Sequence, residues 1–476
     1  MIKIEDSTNR PLVEEVVREG QEHVFRWWDD LSGSQRESLL RQLRDIDFTL
    51  LKELRKRCVE SSHQNAVREV LEPVEVVPIP RTMEQRRAAE AAERVGEEWI
   101  RSGKVAVFLV AGGQATRLGF DGPKGMFPIG PVTGKSLFQL HAEKILAASR
   151  DYGVAIPWYL MTSETNDEET KRFFRRHRFF GLDEEDVFFL KQRMIPALDE
   201  EGKLILDRRD HIFTSPNGHG GSLPALMESG AFDDMKRRGV DVLSYFQVDN
   251  VLINLVDPVF IGYHVGAGAE MSSKMVRKRD PWEKVGVFGR VGGILKVIEY
   301  SDMSKADMEA RNSDGSLKYD AGSVAIHLMN VDFVDDEVRG GFKLPYHVAH
   351  KKIPYVDDSG ERIFPERPNG YKFETFIFDA LGHTTRSVVM EIIREEEFSP
   401  VKNREGADSP ETARRDLTHL FCGWLESAGV SVPRKEDGNI DGLIEISSLF
   451  ARNKESFLKK VPKDLNLKGS LYLGPE

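Results

Sequence analysis

VAVFLVAGGQATRLGFDGPKGMFPIG, residues 105–130, joins a continuous apolar run to a loop with two adjacent glycines. The run VAVFLV is rich in β-branched residues and lacks polar alternation, which predicts a strand buried on both faces. Glycines directly after such a strand allow a ligand to approach the backbone closely. In open α/β sheets, ligands bind beyond the carboxyl ends of the strands. The stretch therefore predicts an α/β fold with a binding loop at residues 111–119.

Apolar runs and helical stretches alternate along the following 270 or so residues, up to about residue 397. Helical patterns at residues 136–150 and 169–181 separate several of these runs. The other predicted strands lie in AIPWYLMT (155–162), VDVLSYFQVDN (240–250), KVGVFGRVGGILKVIEY (284–300) and SVVMEIIRE (387–395). This alternation predicts a mainly parallel or mixed central sheet, Rossmann-like, with helices on both faces.

Three regions are predicted along the chain: a helical N-terminal region (1–100), the α/β region (101–397) and a small C-terminal region (398–476). In the first region apolar residues recur at helical spacing, and Phe25, Trp27 and Trp28 are predicted to lie in its core. The C-terminal region contains one long helical pattern at 409–429 and ends in LKGSLYLGPE, which predicts one short strand.

Composition narrows the class of protein. The net charge of −11 argues against general nucleic-acid binding. Two distant cysteines, Cys58 and Cys422, form no disulfide framework, which favours a reducing compartment. Residues 1–17 are too acidic and polar for a signal peptide, and no apolar run approaches the roughly 20 residues that span a bilayer. A cytoplasmic protein that contacts no membrane is expected.

Two common phosphate-binding motifs do not match. GPVTGKS (130–136) has three residues between its glycines where a Walker A loop needs four, and it follows no clear strand. It is interpreted as a turn and helix cap, which argues against a P-loop kinase. Gly112, Gly113 and Gly119 also lack the spacing of the dinucleotide fingerprint.

The loop nevertheless offers groups that suit a nucleoside triphosphate. Gly112 and Gly113 let backbone N–H groups face a ligand. Arg117 supplies a forked donor for phosphate oxygens, and Lys124, in a Pro-Lys-Gly turn, adds a point charge. Taken alone, these residues are also compatible with a tight β–α turn that carries solvated charges.

LVAGGQATRLGFDGPKGM (109–126) resembles the signature of the eukaryotic-type UDP-sugar pyrophosphorylase family, and most closely its UDP-N-acetylhexosamine branch. Ala115 stands where that family has a third glycine, a departure expected to cost some backbone freedom. The resemblance covers about residues 85–425. It recurs, in order, at FFGLDEEDVFFLKQRMIPAL, SPNGHGGSLPAL, YFQVDNVLINLVDPVFIGYH, GRVGGILKVIEYSDMS, HVAHKKIPYVD, NGYKFETFIFDAL and IREEEFSPVKN.

This resemblance implies the fold of the nucleotide-diphospho-sugar transferases (GT-A-like), with residues 101–397 as the catalytic domain. It implies a uridylyltransferase, in which the phosphate of a sugar 1-phosphate attacks the α-phosphorus of UTP and diphosphate leaves. N-acetylglucosamine 1-phosphate is the expected sugar substrate, with glucose 1-phosphate or a broad range as the alternative. Mg²⁺ is expected without an organic cofactor, and the protein is expected to be a monomer or homodimer.

The resemblance also implies roles for individual residues. The backbone of Val110, Ala111, Gly112 and Gly113 would contact the nucleotide, while Arg117 and Lys124 would bind the β and γ phosphates. Lys402, in SPVKN, would bridge the two reacting phosphates.

Further residues would recognise the base, the metal and the nucleotide. Gln192 would read uracil, since an amide both donates and accepts along a base edge. Gly218 would lie under the base. Asp249 follows an apolar strand and would bind both the nucleotide and Mg²⁺, which prefers a carboxylate with phosphate oxygens. Without the resemblance, Gln192 would be interpreted as a surface residue, and Asp249 would be compatible with a carboxylate that caps a helix.

Four residues would contact the sugar: Glu299, Tyr300, His219 and Ser323. The first two match the family, whereas His219 and Ser323 stand where the N-acetylhexosamine enzymes have Asn. A Gly-His-Gly sequence at 218–220 is instead typical of the glucose enzymes. Weaker discrimination between sugars is therefore expected.

The main alternative is a non-catalytic relative that binds a UDP-sugar. Such a relative is expected to lose charged catalytic groups first, because binding survives their loss better than chemistry does. Arg117, Lys124, Asp249 and Lys402 are all present, which favours an enzyme. His347 and His350 have metal-like spacing without an evident partner and are interpreted as packing residues.

Overall fold

The computed structural model of the chain describes residues 7–61, 70–463, 465, 467 and 469–475. Residues 1–6 belong to the segment compared with a signal peptide above, and they lie outside the described residues. Two compact units are present, each assembled from three separated segments. Unit 1 comprises the described residues of Met1–Arg68, Gln192–Gly221 and Leu344–Ile377, and unit 2 those of Glu69–Lys191, Ser222–Lys343 and Phe378–Glu476. The three predicted regions, by contrast, follow one another along the sequence.

The helices begin mostly at the cap residues that the sequence provides. Ser32, Thr82, Ser136 and Ser409 each accept a hydrogen bond from a backbone N–H in the first turn of the helix that follows. The α-helices in the described residues are α1 (Arg10–Arg18), α2 (Gly33–Asp45), α3 (Phe48–Ser61), α4 (Met83–Arg101), α5 (Leu137–Tyr152), α6 (Asp167–Arg176), α7 (Ser222–Glu228), α8 (Ala231–Arg238), α9 (Pro258–Gly266), α10 (Lys305–Glu309), α11 (Val331–Val338), α12 (Arg394–Glu397), α13 (Pro410–Ser427) and α14 (Lys454–Lys460).

The strands differ in length, and those longer than five residues belong to the central sheet of unit 2. Within the same described residues they are β1 (Leu71–Pro73), β2 (Val105–Val110), β3 (Trp158–Thr162), β4 (Val187–Lys191), β5 (Met194–Pro196), β6 (Leu198–Asp199), β7 (Leu206–Arg208), β8 (His211–Ile212), β9 (Thr214–Pro216), β10 (Val242–Gln247), β11 (Met271–Arg277), β12 (Val287–Val291), β13 (Ile294–Ile298), β14 (Ala321–Asn330), β15 (His347–Lys351), β16 (Tyr355–Val356), β17 (Arg362–Ile363), β18 (Gly370–Glu374), β19 (Val389–Glu391), β20 (Ile444–Ile446) and β21 (Leu471–Leu473).

Unit 2 is built on a mixed sheet in the order β1-β12-β14-β10-β2-β3-β4. Its strands β10, β2, β3 and β4 are parallel, while β14 runs antiparallel to β10. Strand β11 pairs with β14 and β19, and β13 pairs with β12. The predicted run at 284–300 is two strands, because Gly292 and Gly293 adopt positive φ and turn the chain into a hairpin. The parallel strands place the ends of β2, β3 and β10 at one edge.

An extensive apolar core lies in unit 2, and a smaller cluster forms around Val287, Met303 and Tyr319. The extensive core contains side chains of β2 and β10, such as Val107 and Phe246, together with Phe138 of α5. Phe421 of α13 and Ile444 of β20 belong to the same core, so the C-terminal segment packs into the sheet unit. The predicted final strand is confirmed as β21, which pairs with β20.

Unit 1 combines α1, α2 and α3 with small sheets, including the three-stranded sheet β15-β18-β6. Phe25 and Trp28 are buried in its core with their rings edge to face, as the sequence predicts. Trp27 is half-buried beneath the guanidinium of Arg209. In the part of the chain that the structure describes, no helix is long and apolar enough to cross a membrane.

Candidate functional site

The predicted binding loop follows β2 at the carboxyl edge of the parallel strands. Ala111 N donates to Met161 O at 2.8 Å, and Lys124 N donates to Gly113 O at 3.1 Å, so the loop folds back on its own beginning. A Cβ built on Gly113 would meet no atom within 4 Å, because this glycine faces open space. The loop thus presents bare backbone where a ligand can approach.

Asn166, which no sequence motif identified, holds this loop in place through its buried side chain. Its buried side chain donates from Nδ2 to Ala111 O at 2.9 Å and accepts at Oδ1 from Ser163 N at 2.8 Å. A polar residue just beyond the adjacent strand β3 was the available signal, but no motif distinguishes it from an ordinary turn residue. Buried amides bonded on both sides hold a backbone segment in one conformation.

Asp249 lies beyond the end of β10 and pairs with the lysine of the Pro-Lys-Gly turn. Nζ of Lys124 lies 2.8 Å from Oδ2 of Asp249. Burial of this carboxyl raises its pKa, but the nearby ammonium groups of Lys124 and Lys402 outweigh that effect and hold the pKa below its ordinary value. Asp249 is therefore ionised at neutral pH.

Lys402 reaches the same place from a different part of the chain. Val401 N donates to Asp249 O at 3.0 Å, and a β-bridge joins Asn250 to Pro400. These backbone bonds place the exposed Lys402 next to Asp249. Three residues predicted to share one site, Lys124, Asp249 and Lys402, are thus brought together.

A layer of buried polar groups supports the turn at Asp249. His141 is fully buried, and its Nε2 lies 3.0 Å from Val248 O. Nζ of Lys144 donates to Val251 O at 2.7 Å and to Ile253 O at 2.8 Å. Because these bonds satisfy the carbonyls on both sides of Asp249, the carboxylate is presented by a fixed backbone.

Arg117 is exposed on the short 3₁₀ turn that Thr116–Leu118 form within the loop. The alanine that precedes this turn has an ordinary backbone conformation: Ala115 has φ of −92° and is buried against the core. The expected cost of replacing glycine at this position was therefore wrong, since no positive φ is required.

Three predicted sugar residues of unit 2 lie in or directly after strands β14 and β13. Ser323 N donates to Gly286 O at 2.8 Å. Oε1 of Glu299 lies 3.3 Å from the position that a Cβ on Gly286 would take, so Glu299 and Ser323 flank the same residue. Tyr300, 39% exposed, follows Glu299. Ala325 in β14 has φ of +54°, a strained conformation of the kind that concentrates at functional sites.

Three other predicted residues, Gln192, Gly218 and His219, belong to unit 1. Gln192 is buried, with 7% of its surface exposed. Gly218 has φ of +72°, and a Cβ there would lie 2.4 Å from Thr375 O. The approach of the Thr375 backbone is therefore a sufficient reason for glycine at this position, without reference to a base.

His219 is held as a neutral ring. Its Nδ1 accepts a hydrogen bond from Ile377 N at 3.1 Å, which places the ring proton on Nε2. The ring stacks on Phe376 with centroids 5.3 Å apart. Burial, together with nearby His347, lowers the pKa of His219 to about 4.

The segment GPVTGKS is a turn and helix cap, as predicted. Ser136 caps α5, and the loop before it binds a carboxylate of the chain itself. Val132 N and Thr133 N each donate to Oε2 of Glu445 at 2.9 Å, and Thr133 Oγ1 donates to Oε1 at 2.6 Å. Glu445 thus occupies the donors that a phosphate would need.

The two histidines of HVAH also have structural partners. His350 pairs with Glu200 at 3.0 Å and stacks on Tyr371, and His347 packs against Phe376. Among the described residues, no group of three or more His, Cys, Asp or Glu side chains is arranged to hold a metal ion alone. Both histidines are exposed on β15, and their interpretation as packing residues stays a prediction.

A mixed sheet with a glycine loop at its carboxyl edge, and lysines around one carboxylate, defines an α/β fold of the nucleotidyltransferase type. A family model described as UTP–glucose-1-phosphate uridylyltransferase matches residues 49–437. The chain belongs to this family, which confirms the predicted family, fold and class of enzyme.

Similar proteins cover nearly the whole chain. UDP-N-acetylhexosamine pyrophosphorylase-like protein 1 of Xenopus tropicalis is 39% identical over 475 residues, 92% of each chain. UDP-N-acetylglucosamine pyrophosphorylase of Saccharomyces cerevisiae is 38% identical over 467 residues, 94% of this chain and 96% of its own. The crystal structure of the Trypanosoma brucei uridine diphosphate N-acetylglucosamine pyrophosphorylase in complex with an inhibitor matches with a TM-score of 0.84, at 27% identity and full coverage of both chains.

Proposed function

We propose that the protein transfers the uridylyl group of UTP to a sugar 1-phosphate, N-acetylglucosamine 1-phosphate first among them, and releases diphosphate. The observation that carries this proposal is the meeting of Lys124, Asp249 and Lys402 beside the glycine loop of a uridylyltransferase family member. A non-catalytic relative is expected to lose such charged groups first, because binding survives their loss better than chemistry does.

In the proposed reaction, a phosphate oxygen of the sugar 1-phosphate forms a bond to the α-phosphorus of UTP. The bond from that phosphorus to the β-phosphate bridging oxygen breaks, and diphosphate leaves with the electron pair. Positioning and neutralisation of anions account for catalysis, so no nucleophilic side chain is required. Lys402 would draw the two reacting phosphates together, while Lys124 and Arg117 would bind the departing phosphates.

Asp249 has the properties of a magnesium ligand. Its carboxylate is ionised although buried, and Mg²⁺ in nucleotide enzymes is commonly held by one or two carboxylates together with substrate phosphates and water. A bound Mg²⁺ would neutralise phosphate charge and compete with Lys124 for Asp249. The lysine could then turn to the phosphates, since its flexible stem allows this.

The preferred sugar 1-phosphate is inferred from the names of the relatives, but two residues favour a broader range of sugars. The yeast relative is named for N-acetylglucosamine. Ser323 and His219 replace amide side chains, which favours a broader range that includes glucose 1-phosphate as the second candidate. The predicted roles of Gln192 and Gly218 in binding uracil stay predictions, as does a cytoplasmic location.

The test is to mix the protein with UTP, Mg²⁺ and each of four sugar 1-phosphates: N-acetylglucosamine, N-acetylgalactosamine, glucose and galactose. Diphosphate release and UDP-sugar formation are measured together. Stoichiometric release of diphosphate with a UDP-sugar supports the proposal. Binding of UDP-sugar without turnover of any of the four would instead identify a non-catalytic relative.

A further inference from the structure

Arg404 lies at the tip of the loop that begins with Lys402. Lys402 N and Asn403 N both donate to Asp408 O, at 2.7 and 2.9 Å, and Asn403 Nδ2 donates to Ala407 O at 2.8 Å. These bonds close a tight loop over residues 402–408. The loop therefore holds Arg404 in a defined place relative to Lys402.

The guanidinium of Arg404 lies against the glycine loop. Its Nε, Cζ and Nη1 atoms each lie 3.7 Å from the position that a Cβ on Gly119 would take. Equal distances to three atoms of a planar group mean that the plane faces Gly119. Gly119 directly follows the turn that carries Arg117, so Arg404 approaches the end of the loop on which Arg117 lies.

Most of the Arg404 side chain is exposed to solvent and accessible to a ligand. The side chain of Arg404 is 73% exposed. Its ion contact within the described residues is with Glu405 at 4.0 Å, and Glu405 is itself 89% exposed. Such a contact stabilises little and is readily exchanged for a stronger anion.

We propose that Arg404 binds the terminal phosphate of UTP and the diphosphate that leaves. This inference rests on the proposed function. Lys124 and Lys402 both lie near Asp249, whereas Arg117 and Arg404 lie at the end of the glycine loop next to Gly119. A planar guanidinium that presents several donors suits a terminal phosphate, which has three oxygens.

Two nucleotides, UTP and UMP, distinguish a contact with the outer phosphates from a general effect on nucleotide binding. Their binding is compared in the wild type, Arg404→Ala and Glu405→Gln. Isothermal titration calorimetry with Mg²⁺ present measures each dissociation constant. We expect Arg404→Ala to raise the dissociation constant for UTP about threefold to tenfold. The effect is smaller than for a buried charged hydrogen bond, because solvent screens an exposed charge. UMP, which lacks the β and γ phosphates, should bind the wild type and Arg404→Ala with equal affinity. Glu405→Gln, on the same loop, should not weaken UTP binding.

Steady-state kinetics provide a second readout. Arg404→Ala should raise KM for UTP, and for diphosphate in the reverse direction, while KM for the sugar 1-phosphate stays unchanged. Equal weakening of UTP and UMP, unchanged UTP binding, or a change confined to the sugar 1-phosphate would each overturn the inference. A wild type that binds UTP without turnover would contradict only the proposed function, because the calorimetric comparison still applies. A wild type that does not bind UTP would contradict both.

Discussion

Nζ of Lys124 lies 2.8 Å from Oδ2 of Asp249, although 125 positions separate the two residues in sequence. The pair is largely buried, with side-chain exposures of 18% and 11%. Removing one partner of a buried ion pair leaves an uncompensated charge, which is more costly than loss of the attraction itself. In the proposed enzyme, Mg²⁺ would bind Asp249 and phosphates would bind Lys124, so both groups would exchange this contact for new partners when the substrates bind.

Lys402→Ala and Arg117→Ala should each lower kcat by about 10²–10³, because both cations are proposed to face charge that redistributes in the transition state. Both side chains are exposed, so the fold should be retained. Arg175→Ala removes an exposed cation on the surface of α6 and serves as the matched control. Near-normal kcat in either of the first two variants would exclude that residue from the mechanism.

Turnover should require a divalent cation, and Asp249→Asn should raise the Mg²⁺ concentration for half-maximal rate about tenfold or more. The amide keeps the shape of the side chain but loses the charge. Asp241→Asn is the control, since Asp241 lies at the other end of β10 and pairs with Lys104 at 2.8 Å. Full activity in excess EDTA, or unchanged Mg²⁺ dependence in Asp249→Asn, would contradict the metal assignment.

Asn166→Ala should raise KM for UTP and lower the free energy of unfolding by about 1–3 kcal/mol. The reason is that Ala111 O and Ser163 N, both buried, lose their hydrogen-bond partner. Gln114→Ala is the comparison, because exposed Gln114 makes only a 3.4 Å bond to Thr165 O. Equal effects of the two substitutions, measured by urea unfolding and steady-state kinetics, would show that Asn166 does not position the loop.

The sequence predicted those parts of the site that depend on local pattern. The apolar run before the glycines predicted β2 and its loop, and Asp249 was predicted at a strand end because apolar residues precede it. Residues placed by long-range packing gave no local signal. Glu445 binds the backbone of Val132, 313 positions away, and nothing in either segment indicates the other. The interleaving of segments in the two units is of the same kind, since only tertiary contacts decide it.

The free energy of unfolding should decrease as the pH is lowered, because His141 is fully buried and resists protonation in the folded protein. Burial lowers its pKa to about 3, with a smaller effect from Lys144. The unfolded chain binds a proton near pH 6.5, so the contribution of the neutral ring is present above that pH and is lost as the pH falls toward 3. Between pH 7 and pH 5, urea unfolding should show about 2 kcal/mol more loss for the wild type than for His141→Gln. Parallel pH dependences would contradict this assignment.

Discrimination between sugars should depend on Ser323, which is half-buried beside Gly286 in the neighbourhood of Glu299. A hydroxyl donates one hydrogen bond and accepts at the same oxygen, whereas an amide has two N–H donors and a separate carbonyl acceptor. An acetamido group that loses an amide partner and finds no water in its place would lose about 1–3 kcal/mol of preference. His219, as a neutral ring bonded to Ile377, likewise replaces an amide with a single directed donor at Nε2.

We therefore expect the wild type to use glucose and N-acetylglucosamine 1-phosphates with kcat/KM values closer together than in His219→Asn/Ser323→Asn. The double variant places amides at both positions and should favour the N-acetylated sugars. Ser323→Ala separates loss of the hydroxyl from gain of the amide, since it leaves the position small. The measurement is kcat/KM for the glucose, galactose, N-acetylglucosamine and N-acetylgalactosamine 1-phosphates in all three proteins. The prediction is contradicted if the wild type accepts only one sugar and the double variant keeps the same preference. Specificity would then depend on other residues, because neither side chain would contact the group that distinguishes the sugars.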